Sequence, residues 1–404
     1  MALISALFTG VSGLSSNSQA LNVIGDNIAN VNTVGFKGSK AVFSALLANG
    51  DTTSQIGRGS QLQGVLQSFS QGAFEASTNA LDLAVDGSGF FMVNNGNGNF
   101  YTRNGQFRMN DQGVVQAPTG EVLQGFKITN GTTSSSLSNI DLAGVQSAPT
   151  ASTQFTMGAN LNAASSGGTT FTSPITLYNS VGSQVILSMT FTKATTGNSW
   201  SYVASPSQGS VTSGASGTVT FNTSGQISLI NGGAIADQTL VIDYSSANPP
   251  ATAQTLTWDL VDSTGASNGK LTGFAAESNN NSLVQDGFPT GTLIGLSVNS
   301  KGVISGLFNN GQSDNLFQVA LADFLAPTGL SRVGQNLFAE SGQSGQPIIG
   351  AAESGGFGSV LGSSLELSNV DLASEFVTMI QTQQAFQASA FLFGKIHSLF
   401  KPVF

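Results

Sequence analysis

The stretch Leu372-Ala-Ser-Glu-Phe-Val-Thr-Met-Ile-Gln-Thr-Gln-Gln-Ala-Phe-Gln-Ala-Ser-Ala-Phe-Leu-Phe-Gly-Lys-Ile-His-Ser-Leu-Phe400 decides how this chain begins and ends. Leu372, Met379, Phe386, Phe393 and Phe400 recur every seven residues, and Phe376 and Ala390 follow their partners by four. Side chains at that spacing share one face of a helix, so the pattern predicts a long helix with a single apolar seam. Ser368-Asn-Val-Asp371 reads as a capping box opening it. Asp371 and Glu375 lie at its positive end and Lys395 and Lys401 near its negative end, as the helix dipole prefers, and Pro402 stops it.

The same interval returns at the other end of the chain. Leu7, Leu14, Leu21 and Ile28 recur every seven residues, flanked by Leu3, Ile24 and Val31. Gly10, Gly13 and Gly25 each weaken this helix by about 1 kcal/mol relative to Ala. Asn30-Val-Asn-Thr-Val-Gly35 offers residues suited to a left-handed stop. All ten prolines lie between Pro118 and Pro402, so none interrupts the first helix. Two single-seam helices with uncharged polar outer faces predict a coiled coil, with each other or with neighbouring subunits.

Between the ends the pattern changes to β. Residues 128–236 carry only Asp141 and Lys193 as charges and are rich in Ser, Thr and Gly. Runs such as Ile175-Thr-Leu-Tyr178, Val185-Ile-Leu-Ser-Met-Thr-Phe191 and Leu256-Thr-Trp-Asp-Leu260 alternate between turns containing Asn or Gly. A second β region flanks this insert, from Leu81 through Gly125 and from Leu293 through Phe338. The expected fold is therefore mixed α and β, with the terminal helices forming a coiled-coil domain around two nested, mainly-β domains. The expected partition is a helical domain at 1–30 and 364–404, an extended linker at 31–70, an inner β domain at 71–144 and 285–363, and an inserted outer β domain at 145–284.

Composition narrows the chemistry. Of 404 residues only 33 are charged, 8% against about 25% in an average domain, and they sum to −9, which disfavours an anionic nucleic-acid partner. There is no cysteine and a single histidine, His397, so disulfides, thiolate nucleophiles, Cys-type zinc and multi-histidine metal sites are excluded. Carboxylate chemistry is left, and its one candidate pair, Asp82 and Asp86, reads better as acidic turn and edge residues. Gly87-Ser-Gly89 and Asn94-Asn-Gly-Asn-Gly-Asn99 read as turns; the latter lacks the carboxylates of a calcium loop. No run of apolar residues is long enough for a transmembrane helix, and the N-terminus has no basic n-region, the first lysine being Lys37. No catalytic residue, cofactor or metal, and no enzymatic activity, is expected.

Three segments carry a resemblance. Asn22-Val-Ile-Gly-Asp-Asn-Ile-Ala-Asn-Val-Asn-Thr-Val-Gly-Phe-Lys37 resembles, at Asn27, Ile28, Ala29, Asn30, Thr33, Gly35, Phe36 and Lys37, the signature of the flagellar axial proteins of rod, hook and junction. Leu81-Asp-Leu-Ala-Val-Asp-Gly-Ser-Gly-Phe-Phe91 with Tyr101-Thr-Arg-Asn-Gly-Gln-Phe107 is similar to the start of their inner β domain. Leu365-Glu-Leu-Ser-Asn-Val-Asp-Leu372, including Ser368, Asn369, Val370, Asp371 and Leu372, looks like the approach to their C-terminal helix. Gln384 and Phe386 stand where Arg and Tyr are common. The large Ser/Thr-rich insert resembles the hook branch most closely.

The resemblance implies a structural subunit exported unfolded by the flagellar type III apparatus and located in the hook outside the cell. It implies polymerisation beneath a hook cap protein, onto the distal rod protein, into a curved tube that passes torque to the filament through junction proteins. The seam residues Leu7, Leu14, Leu21, Ile28, Leu372, Phe376, Met379, Phe386, Phe393 and Phe400 would then line the contacts of the tube wall. Partners would be copies of the same chain and these axial proteins, with no nucleic acid and no membrane insertion. A distal rod or junction protein is the nearest alternative. An extracellular carbohydrate-active or adhesive β protein is the alternative of another class.

Overall fold

The computed structural model of the chain describes residues 2–47 and 57–400. The side chains of Leu3, His397 and Phe400, and the whole of Lys401 and Pro402, lie outside the described residues. A helix at each end, α1 (Ala2–Ala29) and α2 (Leu372–Phe400), encloses a middle that is almost entirely β. The chain divides into two compact units, one of residues 1–144, 295–307 and 313–404, the other of residues 145–294 and 308–312.

The second unit is built from two sheets. Five strands, Thr170–Tyr178, Gln184–Lys193, Ser199–Pro206, Ser216–Phe221 and Ile227–Ile230, pair antiparallel in chain order. The other sheet centres on Gln238–Asp243, Gln254–Trp258 and Gln154–Asn160, the last two running parallel. Period-2 alternation sends Val185, Leu187, Met189 and Phe191 inward from one strand and Trp200, Tyr202 and Ala204 from the next. Trp258 is the centre of the core, stacked on Phe155 at 6.1 Å and met edge-on by Tyr202 at 5.2 Å. Lys193 also points inward; its Nζ donates to Gly197 O and Asn198 Oδ1, both at 3.1 Å, and lies over Trp200.

In the first unit an antiparallel sheet runs Ser313–Asp323, Val122–Thr129, Phe90–Asn94, Asn99–Thr102, Leu337–Ala339, Ser331–Gly334. The strand Phe90–Asn94 is covered on both faces. Phe91 and Val93 enter a core with Leu83, Phe107 and Leu321, while Phe90 and Met92 enter an aromatic cluster with Tyr101, Phe324 and Phe338. The loop after Asn94 is a hairpin connection, closed by Asn95 N–H donating to Gly98 O. Asp82 accepts from Ser77 Oγ at 2.5 Å and from Asn79 Nδ2 at 3.0 Å, so it braces a turn.

Three expectations are corrected. The 31–70 stretch is no extended linker: Ser39–Leu47 and Gly57–Gln67 form a long antiparallel hairpin, paired from Ser39↔Gln67 to Leu47↔Gly57 with register shifts after Val42 and after Ala45. It lies along the polar side of α1, where Ser16 Oγ donates to Ser60 O at 3.0 Å and Ser12 Oγ accepts from Ser60 N–H. The cap of α2 is Asp371 rather than Ser368. Asp371 Oδ1 accepts from Ala373 N–H at 2.9 Å, satisfying an amide that the first helical turn leaves unpaired. Finally, the inserted unit extends to Ile294 instead of 284, because Gly291 and Thr292 pair with Ser147 and Gln146.

Trp258→Ala should remove the centre of the second unit's core. A loss of about 3–5 kcal/mol is expected, seen as a lowered melting transition of this unit in the whole chain. A loss below about 1 kcal/mol would show that this core tolerates the void.

Candidate assembly site

The two helices lie side by side and run antiparallel. Gly10 faces the Phe393 backbone, Gly13 faces Ser389 Oγ, and Asn27 Nδ2 donates to Glu375 Oε1 at 3.1 Å. As one index rises the other falls. A Cβ on Gly13 would sit 3.1 Å from Ser389 Oγ, so the absence of a side chain there is what lets the helices approach. The covered side of α2 carries Glu375, Met379, Thr382, Phe386, Ser389 and Phe393, at intervals alternating four and three. Met379, Phe386 and Phe393 of the expected series therefore lie on the helix–helix side. Leu372 and Phe376 do not; they are 39% and 46% exposed. On α1, Leu7, Leu14, Leu21 and Ile28 are half-buried, and Ile24 is buried along with Gly10, Ser16 and Asn27. The pair leaves a second apolar face open, with Phe8, Val11, Val377, Ile380, Phe391 and Leu392 all exposed.

Beneath the helix pair the motif residues converge on one anchor. α1 ends at Ala29, and Thr33 Oγ1 donates to Asn30 Oδ1 to close the turn that follows. Gly35 takes φ +67°, and a Cβ there would lie 2.5 Å from the Arg103–Asn104 backbone, so only glycine passes. Its N–H donates to Glu366 O at 2.8 Å. Asn27 then grips Ser39 at both ends, Nδ2 to Ser39 O at 2.8 Å and Oδ1 from Ser39 N–H at 2.9 Å. Asn369 does the same across the chain, accepting from Gly38 N–H at 2.8 Å and donating to Ser68 O at 2.8 Å and Ser70 O at 3.1 Å.

At the centre lie three buried charges. Glu366 Oε1 meets Lys37 Nζ at 2.6 Å and accepts from Gly72 N–H at 2.9 Å, while Oε2 faces Arg103 Nη1 at 3.3 Å. Lys37 also donates to Ser70 O at 2.8 Å, and Arg103 donates to Val85 O at 3.1 Å and Gly87 O at 2.7 Å. Neither the Lys37 nor the Glu366 side chain has any exposed surface. Burial pushes both the Lys37 ammonium and the Arg103 guanidinium below their usual pKa values, against the opposing pull of Glu366. Two cations share this one buried anion, and Asp323 adds a longer-range pull on Arg103.

Lys37, Gly35, Asn27 and Asn369 are all recognisable from the motif segments. Glu366 and Arg103 lie within those segments without standing out in them. The available signal is compositional: in a chain this poor in charge, an Arg or Glu inside an apolar run has a specific partner. Among the described residues no three His, Cys, Asp or Glu side chains come together as a metal site, and no helix is long and apolar enough to cross a membrane.

The unequal charge count makes the two obvious substitutions unequal. Glu366→Gln leaves two buried cations without their direct partner and should cost about 3–5 kcal/mol, whereas Lys37→Met leaves the Arg103–Glu366 pair intact and should cost far less. Equal losses in chemical denaturation would contradict the shared-anion reading. With its folded pKa lowered below 10.5, Lys37 binds more proton in the unfolded state, so stability should rise with pH over the window that ends at 10.5. The Tyr101 hydroxyl, held up at about 12 by burial, works in the opposite sense only above 10. Lys37→Met should flatten the alkaline rise.

Known families match this chain in four consecutive segments. Residues 7–37 match the flagella basal body rod protein family, and 84–160 the flagellar hook protein FlgE/F/G D1 domain. Residues 149–288 match the flagellar basal body protein FlaE D2 domain, and 362–393 the flagellar basal body rod FlgEFG protein C-terminal region. The flagellar hook protein FlgE of Borreliella burgdorferi is 30% identical over 426 residues, covering 96% of each chain. That of Salmonella typhimurium strain LT2 is 31% identical over 402 residues and 94% of each chain, and that of Escherichia coli K12 is 30% identical over 95% of this chain and 96% of its own. With near-complete coverage at this identity, and with both anchor segments inside matched regions, the chain belongs to the flagellar hook protein family.

Proposed function

We propose that this chain is a structural subunit of the flagellar hook, polymerising into a flexible curved tube that joins the basal-body rod to the filament and passes torque along it. The observation that carries the reading is the run of four family segments in order, backed by relatives named hook protein that align over nearly the whole chain. The 149–288 match favours the hook over a rod protein, because it corresponds to the insert that a shorter rod protein is expected to lack.

In this reading α1 and α2 form the coiled-coil layer of the tube, and the two β regions form two further, mainly-β domains. The open face of the helix pair supports that assignment: Val377, Ile380, Phe391 and Leu392 keep about half or more of their surface exposed within one chain and would be covered by neighbouring copies. Assembly would bring the chain against the distal rod protein, a hook cap protein and a hook–filament junction protein, after passage through the flagellar type III export apparatus. The uncharged Ser, Thr, Asn and Gln surface of the insert suits contacts that are made and remade as a tube bends, since no strong ion pair fixes one register. The protein acts by assembly, not by catalysis.

Ile380→Asp tests the assembly face. Ile380 is 51% exposed, so the melting of the isolated chain should move by no more than about 0.5 kcal/mol. In a polymer the same change loses buried apolar area and adds an unpaired carboxylate, about 4 kcal/mol together, raising the concentration needed for polymerisation roughly a thousandfold. Pelleting and electron microscopy of the variant are the measurement; normal curved polymers would remove this face from the tube wall. Deleting the gene should leave basal bodies that end at the rod, without hook, filament or motility.

A further inference from the structure

Asparagine followed by glycine is the dipeptide most prone to intramolecular imide formation, because glycine has no side chain to shield its main-chain nitrogen. Among the described residues the pair occurs at Asn95, Asn97, Asn104, Asn130, Asn231, Asn268 and Asn310. Hydrogen bonding divides them sharply.

The side-chain amides of Asn231, Asn268 and Asn310 are each held at both ends. Asn231 accepts from Thr218 N–H at 2.8 Å and donates to Gln238 at 3.0 Å. Asn268 accepts from Lys270 N–H and donates to Asp259 O, both at 3.0 Å. Asn310 accepts from Gln312 N–H at 3.0 Å and donates to Pro289 O at 2.9 Å. Asn104 accepts from Gln106 N–H, and the glycine after it is packed against Leu83 O. At Asn95 the nucleophile itself is engaged, since Gly96 N–H donates to Asn94 Oδ1 at 2.7 Å. Asn130 has a free side chain but sits at φ +52° with Gly131 at +74°, a tight two-residue turn that must open before the amide can fold back.

Asn97 alone has both reacting groups free with neither it nor Gly98 at a positive φ. Its turn is held only by Asn95 N–H donating to Gly98 O at 3.3 Å and by its own N–H donating to Asn95 Oδ1 at 2.9 Å, neither of which engages its side chain or Gly98 N. It is exposed at the tip of the hairpin between Phe90–Asn94 and Asn99–Thr102, with no hydrogen bond to its side chain or to Gly98 N–H, and open space around Gly98. We propose that Asn97–Gly98 is a site of spontaneous covalent modification. Gly98 N attacks Cγ of Asn97; the N–Cγ bond forms, Cγ–Nδ2 breaks, and Nδ2 leaves as ammonia with the proton from Gly98 N. Water then opens the succinimide at one carbonyl or the other, giving an aspartate in the normal main chain or an isoaspartyl linkage that lengthens it by a methylene. Either product places a new negative charge on a hairpin tip that is otherwise neutral.

The test is to hold the full-length protein warm in mildly alkaline buffer and map its peptides by mass spectrometry, with isoaspartyl methyltransferase labelling as a second readout. A doubly pinned amide gives up two hydrogen bonds to reach the reactive geometry, so conversion at Asn97 should run about tenfold faster than at Asn231, Asn268 or Asn310. Gly98→Ala, which meets no neighbouring atom, should slow conversion at Asn97 alone. In concentrated urea the sites should converge to similar rates. Conversion spread evenly in the folded protein, an intact Asn97, or an unchanged ranking in urea would each overturn the proposal.

Discussion

Glu366 is the group on which the first unit depends. It is the common anion of two buried cations, and its own main chain holds Gly35, so one residue near the C-terminus fixes Lys37, Arg103 and the turn that leaves α1. A buried carboxylate is tolerable only when its lone pairs are occupied, and here Lys37, Gly72 and Arg103 occupy them. The positions of α1, the Ser39–Gln67 hairpin and the start of α2 follow from that knot and from the amides of Asn27 and Asn369 that brace it. Apolar packing holds the β cores together, but polar groups decide how the chain ends meet them.

The helix pair shows the complementary logic. Its contact side is made of glycine, serine, threonine and a few large apolar residues, so the two backbones approach closely while burying little. That leaves much of each helix's apolar surface facing outward, an arrangement that makes sense for an element whose packing is completed by other copies. The second unit is the opposite case, a sandwich-like core with two tryptophans, Trp200 and Trp258, fully covered within one chain.

Much of this is legible in the residue pattern. The heptads place both helices, the alternation in Val185–Phe191 places a strand correctly, and the motif segments locate the anchor. The pattern does not say which of the seven-spaced residues face the partner helix: Leu372 and Phe376 turn outward because the stripe that meets α1 at that end runs through Glu375 and Met379. The hairpin of 39–67 escapes a sequence reading because its strands lie on a helix flank and not over a core, so their exposed apolar residues, Phe43 and Val65 among them, carry weak alternation. Glu366 and Arg103 escape it because a buried ion pair joins positions 263 residues apart, and no local periodicity records such a partner.

The same distance has a bearing on the order in which the protein can be completed. Closing loops of this length is slow and entropically costly, and the Lys37–Glu366 contact spans 329 residues. The inserted unit draws nearly all its strands from one continuous stretch. Any process that delivers the chain N-terminus first therefore presents a finished insert while the first unit still waits for its counter-charge. Closure of the first unit is thereby tied to the arrival of residue 366, a built-in checkpoint that a chain cut short before it cannot pass.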